Sequence, residues 1–331
     1  MTIDRALVDR ALTAATDTRQ LRLEAGALAA VASTFTATFG SRMARVVADP
    51  TTWRVAGQRV DDQLRETRLA SQPAIVLAEP LHADFDRVLE LESALAAADA
   101  IPVVVGSGTL NDLTKLAAHR LGREYMVVAT AASMDGYAAF GASITRDGFK
   151  QTMACPAPAA ILADLDVLAA APTPLTAAGY GDLIGKVTAG ADWIVADGLA
   201  VESIDGPAWA MVQGPLRASL DAPERLAAHD PAATERFFIG LVTSGLAMQA
   251  TRSSRPASGA EHLISHLWEM TGLTHQGVSP SHGAKVGIGT VLVTMLYERL
   301  LSYDLTAIDA EACISALPDA ASVERAARSA L

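Results

Sequence analysis

One predicted helix carries three side chains that could bind a metal ion or move a proton. His262, His266 and Glu269 stand at spacings i, i+4 and i+7 within the stretch 258–270. Residues at these spacings lie along one face of a helix. Two histidines four residues apart are also compatible with ordinary polar residues on a solvated face, so the pair alone does not decide between a site and a surface.

The start of this helix and its buried side are also predicted by the sequence. Ser258 followed three residues later by Glu261 fits the capping box that opens many helices. A neighbouring stripe is apolar: Leu263, Ile264, Leu267 and Trp268. We therefore expect the helix to begin at Ser258 and the apolar stripe to anchor it in a core.

More histidines follow this helix closely. His282 lies between Ser281 and Gly283, ahead of a long apolar helix, and His275 lies in the intervening loop. Four of the seven histidines thus fall between positions 262 and 282. Because neutral imidazole is a good ligand for Zn, Ni and Fe, this segment predicts a divalent-metal site.

A carboxylate earlier in the chain could complete such a site. Asp182 lies in the segment GYGDLIGK, 179–186, in an early turn of a predicted helix. A carboxylate is the natural third ligand beside two histidines, and it leaves one position open for water or substrate. The alternative is a residue near a helix start that is stabilised by the helix dipole.

A glycine-containing turn predicts a phosphate-binding element. Gly106, Ser107, Gly108 and Thr109 lie between a predicted strand and a predicted helix, where free N–H groups and the helix dipole bind phosphate. Glycine allows the backbone to approach a pyrophosphate closely. Asn111 occupies the third glycine position of G-x-G-x-x-G, so a tight βα turn is the alternative to a nucleotide site.

The end of the next strand offers further polar groups. Thr130 to Ser133 closes the fourth predicted strand, and Asp135 and Gly136 follow it. Ligands of open α/β proteins bind at this carboxyl end of the sheet. The hydroxyls could contact ribose or phosphate and Asp135 could accept a hydrogen bond from a substrate hydroxyl, whereas an Asp-Gly turn is the alternative.

The elements that position these residues divide the chain into two parts. Largely apolar segments without alternation predict strands at 43–49, 73–78, 101–105 and 125–129, and helices are predicted between them at 53–64, 85–98 and 110–121. Such an alternation is typical of a doubly wound parallel sheet covered on both faces. Later segments favour helix throughout: 174–191, 225–230, 232–248, 258–270 and 284–303. We expect an α/β domain over 1–163 and an all-helical domain over 164–331, with the boundary near the proline-containing stretch 156–172.

Composition excludes several classes of function. At 331 residues, 50% hydrophobic and 19% charged, the chain predicts two folded domains and no long disordered region. The net charge of −11 argues against a nucleic-acid partner. The apolar run 286–296 is too short to span a membrane.

The cysteines and the N-terminus bear on the compartment. Cys155 and Cys313 are the two cysteines, which offer neither a disulfide framework nor a zinc-ribbon spacing. Asp4 and Asp9 interrupt the apolar residues of the N-terminal stretch, a pattern typical of neither a signal peptide nor a transit peptide. We expect a reducing, cytoplasmic environment.

Several motifs in order resemble one enzyme family. They are GSGTLNDLTK (106–115), TAASMDGY (130–137), GYGDLIGK (179–186), RPASGAEHLISHLWE (255–269) and HGAKVGIGT (282–290). Together they are similar to the sn-glycerol-1-phosphate dehydrogenases, within the superfamily of glycerol dehydrogenases, iron-containing alcohol dehydrogenases and dehydroquinate synthases. The resemblance extends from about residue 21 to residue 305. It implies a dehydroquinate synthase-like fold, with an N-terminal nucleotide-binding domain and a helical metal-binding domain.

The resemblance also implies cofactors and residue roles. NAD(P) would contact these residues: Asp49, Gly106, Ser107, Gly108, Thr109, Leu110, Asp112, Thr130, Ala131, Ala132, Ser133 and Ala139. One divalent metal, Zn or Ni, would be held by Asp182, His262 and His282. Asp135, Asp182 and His266 would contact the substrate, with His266 and Asp135 in catalytic roles, and the resemblance gives no role to His275.

The sequence departs from the family pattern at two positions. Ala139 stands where a serine is usual, and Ala284 follows His282-Gly283 where relatives commonly carry glutamate. The first departure puts one cofactor contact in doubt. The second suggests altered support around the metal.

The resemblance implies interconversion of dihydroxyacetone phosphate and sn-glycerol 1-phosphate, a step of phospholipid biosynthesis. A chain of net charge −11 needs local cations to attract this anion, and the candidates are Lys150, Lys186 and Arg255. A homodimer or larger homo-oligomer is expected. The alternatives are a glycerol or polyol dehydrogenase, a dehydroquinate synthase-like lyase, and a non-catalytic NAD-binding relative.

Overall fold

Six parallel strands form the central sheet of the first half of the chain, in a computed structural model that describes residues 5–330. The strands are β1 (Gln20–Glu24), β2 (Ala44–Ala48), β3 (Ile75–Val76), β4 (Ile101–Gly106), β5 (Met126–Ala129) and β8 (Ala160–Asp164). Their spatial order is β1-β8-β5-β4-β2-β3. An antiparallel hairpin of β6 (Ala142–Arg146) and β7 (Phe149–Met153) lies outside this sheet. Asp4, used above to argue against a signal peptide, lies outside the described residues.

Helices cover both faces of the sheet, and from Thr173 to Ala330 the described chain forms helices and no further strand. The first group is α1 (Arg5–Ala14), α2 (Val31–Phe39), α3 (Pro50–Thr52), α4 (Gln58–Glu66), α5 (Phe85–Ala96), α6 (Gly108–Arg120) and α7 (Leu165–Ala169). The second group is α8 (Thr173–Gly198), α9 (Gly206–Leu220), α10 (Pro223–Ala227), α11 (Pro231–Thr251), α12 (Ala260–Met270), α13 (His282–Leu301), α14 (Ala310–Ala316) and α15 (Ala320–Ala330). A π-helical turn, Trp53–Gly57, joins α3 to α4. Two 3-10 turns, Ala27–Ala30 and Leu305–Ala307, complete the set.

The central strands are buried on both faces, as their unbroken apolar runs predict. All six residues of β4 are buried. Val104 packs in the core beneath α5 and α6, while Val103 packs in the opposite core with α2 and α4, because successive side chains of a strand point to opposite faces. The predicted α/β fold class, with a parallel sheet followed by helices, is confirmed.

Some elements were missed by sequence reasoning. β1 is short and partly exposed, and β8 lies within the proline-containing stretch that suggested a boundary. The hairpin of β6 and β7 is mostly half-buried or exposed. β1 and the hairpin lack a continuous apolar run, so their pairing depends on contacts distant in sequence, whereas β8 is fully buried but lies among prolines. The domain division at residue 163 stays a prediction.

The prediction for the histidine-bearing helix is wrong in two respects. Helix α12 begins at Ala260, with Gly259 at the N-cap and no side-chain cap, so Ser258 forms no capping box. The apolar stripe is not buried, since Leu263 is 71% exposed and Leu267 is 46% exposed, while Ile264 and Trp268 are half-buried. The buried face of the helix is polar instead. No helix within residues 5–330 is long and apolar enough to cross a membrane.

Candidate metal and cofactor site

Three side chains from three helices meet at one point. Asp182 lies on α8, His262 lies on α12, and His282 is the first residue of α13. One potential ligand atom from each lies within 4.8 Å of the others. Asp182 and His262 are buried, whereas His282 is half-buried. These are the residues predicted as metal ligands, and the structure brings them together; their ligand role stays a prediction.

Glycines allow the helices to approach closely enough for this meeting. A Cβ at Gly181 would lie 2.2 Å from the carbonyl oxygen of Gly283, and a Cβ at Gly283 would lie 1.8 Å from that of Ala178. Both distances are far below contact, so α8 and α13 touch through their backbones. Because Gly181 precedes Asp182 and Gly283 follows His282, the crossing of the two helices sets the separation of these side chains.

Asp182 is held from both sides. Its Oδ2 accepts a hydrogen bond from the backbone N–H of Asp135 at 2.9 Å, and its Oδ1 accepts one from the Lys186 ammonium at 2.7 Å. Burial would raise the pKa of Asp182, but the charge of Lys186 and the hydrogen bond with His262 hold it well below its usual range. The carboxylate is therefore ionised and fixed in orientation.

His262 is oriented by a second carboxylate. Its Nδ1 lies 2.8 Å from Glu261 Oε1, and its Nε2 lies 3.4 Å from Asp182 Oδ1. Glu261 is itself buried and accepts a hydrogen bond from the hydroxyl of Thr188 at 2.7 Å. Burial would lower the pKa of His262, but its hydrogen bonds to Asp182 and Glu261 raise it. A carboxylate behind one ring nitrogen, with the other nitrogen facing the site, is the usual support of a metal-ligating histidine.

His266 lies beside this group rather than inside it. Its ring centroid is 6.4 Å from that of His262 and 6.0 Å from that of His282. Burial and the positive charges of His282 and Lys150 lower the pKa of His266 to about 4, so its imidazole is neutral near pH 7. The structure therefore places both helical histidines at the site, and the division of metal and substrate roles between them stays a prediction.

Asp135 reaches the same group through a lysine. Its Oδ2 lies 2.9 Å from the Lys186 ammonium and accepts a hydrogen bond from the hydroxyl of Ser244 at 2.9 Å. Lys186 thus bridges Asp135 and Asp182 and is completely buried. Sequence reasoning proposed Lys186 as a phosphate-binding cation; the structure pairs its ammonium with both flanking carboxylates, and a phosphate role for it stays a prediction. Ser244 had no motif to identify it.

Another carboxylate at the site pairs with two lysines. Glu269 Oε2 lies 2.6 Å from the ammonium of Lys150, and Glu269 Oε1 lies 3.2 Å from that of Lys285 and 3.3 Å from His282 Nδ1. Burial would raise the pKa of Glu269, but the hydrogen bond with His282 and the charge of Lys150 hold it far below its usual range. Lys285 was missed, although its position three residues after His282 on one helix was the available signal. Arg255, another predicted phosphate-binding cation, forms an ion pair with Glu202.

The carboxyl ends of the strands border a cavity of about 520 Å³. Four of its lining residues were predicted as cofactor contacts: Asp49, Ser107, Thr109 and Leu110. The helix α6 begins at Gly108, so its first turn forms part of this wall, where backbone N–H groups suit phosphate. The Asp49 side chain also caps α3, since it accepts a hydrogen bond from the Thr52 N–H at 2.7 Å.

The remaining predicted cofactor residues have different surroundings. Thr130, Ala131 and Ala132 are buried after β5, and Ser133 is half-buried. Asp112 Oδ2 accepts the backbone N–H of Ser143 at 3.2 Å, and burial raises the pKa of this carboxyl. The Ala139 methyl packs with Met248 and Ala257. The contact with cofactor stays a prediction for all of them.

Comparison with known proteins identifies relatives for most of the chain. The family model of the iron-containing alcohol dehydrogenases matches residues 22–172. The glycerol-1-phosphate dehydrogenase (NAD(P)+) of Halalkalibacterium halodurans is 38% identical over 77% of this chain and 64% of its own length. That of Bacillus licheniformis is 35% identical over 84% of this chain and 71% of its own length. The chain therefore spans about two-thirds of the length of these curated relatives.

Solved structures share the fold at low sequence identity. A probable glycerol dehydrogenase from Sinorhizobium meliloti superposes with a TM-score of 0.68 at 18% identity, over 85% of this chain and 77% of that one. The maleylacetate reductase of Agrobacterium tumefaciens gives a TM-score of 0.63 at 19% identity, over 84% of this chain and 83% of that one. These two likenesses concern the fold alone.

Proposed function

We propose that this chain, which belongs to the glycerol-1-phosphate dehydrogenases within the iron-containing alcohol dehydrogenase family, interconverts dihydroxyacetone phosphate and sn-glycerol 1-phosphate with NAD(P). The observation that supports this proposal is the meeting of Asp182, His262 and His282 from three helices, with His266 and Asp135 beside them. This set can hold a metal ion and still leave other polar groups for a substrate.

The donor set fits a divalent metal. Two imidazoles and an ionised carboxylate are the ligands of many three-residue zinc sites, and imidazole suits Ni as well. Glu261 supports His262 from behind, and Lys186 and the Asp135 N–H fix Asp182. We propose Zn or Ni as the ion. When bound, it would act as a Lewis acid on the substrate's carbonyl and hydroxyl oxygens.

The nicotinamide of NAD(P) would supply the hydride, and the chain's own residues orient the reactants. We propose that Asp49 and the segment from Gly106 to Leu110 hold the cofactor, since Asp49 and the start of α6 share the cavity at the strand ends. The first turn of α6 suits the pyrophosphate. The contacts proposed above for Asp112, Thr130 to Ser133 and Ala139 would complete the cofactor site.

Asp135 and His266 would handle the substrate's hydroxyl groups and protons. Lys186 and Ser244 both contact the Asp135 carboxylate at Oδ2, so we propose that Oδ1 accepts the hydrogen bond from a substrate hydroxyl. The His266 imidazole can accept a proton at one ring nitrogen and donate one from the other. We propose that it relays the proton that the reduced oxygen takes up.

The proposal also covers the oligomeric state, the domain division and the cellular location. We propose a homodimer or larger homo-oligomer and a division into domains at 163/164. We also propose a cytoplasmic location, supported by two cysteines that are both unpaired.

A steady-state assay tests the proposed function. Purified protein would receive dihydroxyacetone phosphate with NADH or NADPH, with dihydroxyacetone and glycerol as comparison substrates. We expect the phosphorylated ketone to be preferred, about one divalent ion per chain, and loss of turnover on chelation with recovery on adding Zn or Ni. Preference for an unphosphorylated polyol, or full turnover without metal, contradicts the proposal.

A further inference from the structure

The placement of the lysines in this chain is unusual. The sequence contains four lysines, Lys115, Lys150, Lys186 and Lys285, and its other basic residues apart from histidine are arginines. Lysine is normally a surface residue, yet Lys115, Lys186 and Lys285 are buried and Lys150 is half-buried. Each of the four therefore has a specific neighbourhood that explains its position.

Two of these lysines are held by several buried acceptors. Lys115 donates to the carbonyl oxygens of Gly136, Ala139 and Gly141, at 3.1, 2.9 and 2.9 Å, which accounts for the three N–H groups of an ammonium. Lys186 is held between two carboxylates, as described above. Neither can turn toward a ligand without leaving buried groups unpaired.

The other two lysines share a single carboxylate. Lys150 approaches Glu269 from the strand β7 and Lys285 approaches it from the helix α13, at 2.6 and 3.2 Å. The side chains of Lys150, Lys285 and Glu269 are 23%, 6% and 10% exposed. Asp112 is a further carboxylate whose charge interacts with that of Lys150. Its own ion pair is with the ammonium of Lys115, at 3.7 Å. The group of Lys150, Lys285 and Glu269 thus carries one positive charge more than its own carboxylate balances, among side chains that are largely buried, where an unbalanced charge is costly.

This lysine pair adjoins the proposed metal ligands. Glu269 Oε1 lies 3.3 Å from His282 Nδ1, and potential ligand atoms of His266, Glu269 and His282 lie within 4.8 Å of one another. In dihydroxyacetone phosphate, only a methylene and an ester oxygen separate the carbonyl carbon from the phosphorus. A substrate whose carbonyl lies at the histidines can therefore place its phosphate at the lysines.

We propose that Lys150 and Lys285 form the phosphate subsite, and that Glu269 holds the two ammonium groups together in position. The inference rests on the proposed function, because it identifies the part of the site that recognises a phosphorylated substrate. Each ammonium forms an ion pair with one oxygen of Glu269, and an ammonium has three N–H donors that can serve phosphate oxygens. With two ammonium groups and one carboxylate, the group is net positive and attracts a phosphate dianion.

Two measurements on Lys150→Gln and Lys285→Gln test this subsite. In the first, kcat/KM is compared for dihydroxyacetone phosphate and for dihydroxyacetone. We expect each variant to lose about 10- to 100-fold on the phosphorylated ketone, as for a lost hydrogen bond to a charged group, and less than about 3-fold on the unphosphorylated one. Glutamine keeps an N–H donor for Glu269. If Lys285→Gln destabilises the chain, Lys150→Gln still tests the subsite, because Lys150 is the more exposed of the two lysines.

The second measurement does not depend on turnover. Inorganic phosphate is titrated at constant ionic strength while the midpoint of thermal unfolding is followed, since a ligand that binds the native state raises that midpoint. We expect a rise in the parent protein and none in the two variants. The matched control is Arg146→Gln, which removes one positive charge from the same hairpin at a residue that pairs with Asp147; it should keep the rise.

The outcomes separate this inference from the proposed function. The subsite assignment is wrong if phosphate raises the midpoint of thermal unfolding of both lysine variants as much as that of the parent. It is also wrong if phosphate leaves the midpoint of the parent unchanged. An unchanged preference for dihydroxyacetone phosphate in both variants also overturns it while the proposed function stands. The parent protein could fail to reduce dihydroxyacetone phosphate while phosphate still raises the unfolding midpoint of the parent and of Arg146→Gln but not of the two lysine variants. The proposed function then fails and the phosphate subsite stands.

Discussion

The two ends of the site are built in different ways. At the strand ends, the turn from β4 into α6 runs through consecutive residues, Gly106 to Leu110. At the histidines, Asp182, His262 and His282 come from three helices distant in sequence. The first region is produced by local backbone structure, whereas the second depends on how α8, α12 and α13 pack.

This difference also sets how tightly each region is constrained. A Cβ at Gly108 would lie 3.2 Å from the end of the Met134 side chain, which can move. A Cβ at Gly283 would lie 1.8 Å from the backbone oxygen of Ala178. At Gly283 no flexible side chain can absorb an added methyl group, so a small alteration there should have a large consequence.

The largest expected effect separates the two helical histidines. His262→Ala should lose bound metal and essentially all turnover, because His262 is a proposed ligand. His266→Ala should keep the metal and lose about 10²- to 10⁴-fold in kcat, the usual contribution of a positioned acid or base. Metal analysis and steady-state kinetics on both purified variants measure the difference.

A folded His266→Ala protein that emerges without metal would make His266 a ligand. The proposed division of roles would then be wrong. Circular dichroism on both variants provides the control for folding.

A smaller effect tests the comparison between the two regions directly. Gly283→Ala should lower the free energy of unfolding by about 1–3 kcal/mol or more, since overpacking at a backbone contact forces the helices apart. It should also reduce the metal content, because the separation of Asp182 and His282 changes. Gly108→Ala should change the free energy of unfolding by less than about 1 kcal/mol. Urea denaturation with metal analysis measures both, and equal losses in the two variants would contradict the comparison.

The smallest effect concerns the thiols. Burial raises the pKa of Cys155 to about 12, so its thiolate fraction at pH 8 is on the order of 10⁻⁴ and rises only as the pH approaches 12. Cys313 is exposed. We expect iodoacetamide at pH 8 to modify Cys313 and leave Cys155 unmodified in the native protein, as read by mass spectrometry.

The same labelling reports on the coupling between the two regions. If Gly283→Ala loosens the packing of the helices without loosening the sheet domain, iodoacetamide should still leave Cys155 unmodified in that variant. Rapid modification of Cys155 in the native parent protein would contradict its buried, protonated state.

Sequence reasoning predicted the α/β architecture and the approximate position of each central strand, because long apolar runs such as β4 are buried wherever they pair. It also selected the three residues that meet at the proposed metal site. It was wrong about the buried side of α12, where Leu263 is exposed and His262 is buried. A stripe of apolar residues indicates a buried face only when no polar network competes for the interior, and here Glu261, Thr188 and Asp182 supply one.

The sequence by itself therefore determined the local features: the alternation of strands and helices, the glycine turn after β4, and the histidine spacing on α12. Only the tertiary structure decided which charges balance one another. Lys186 is occupied by Asp135 and Asp182, while Lys150 and Lys285 share Glu269. Ion pairing in a buried site depends on distances of a few ångströms between residues far apart in the chain, and spacing along a sequence does not contain those distances.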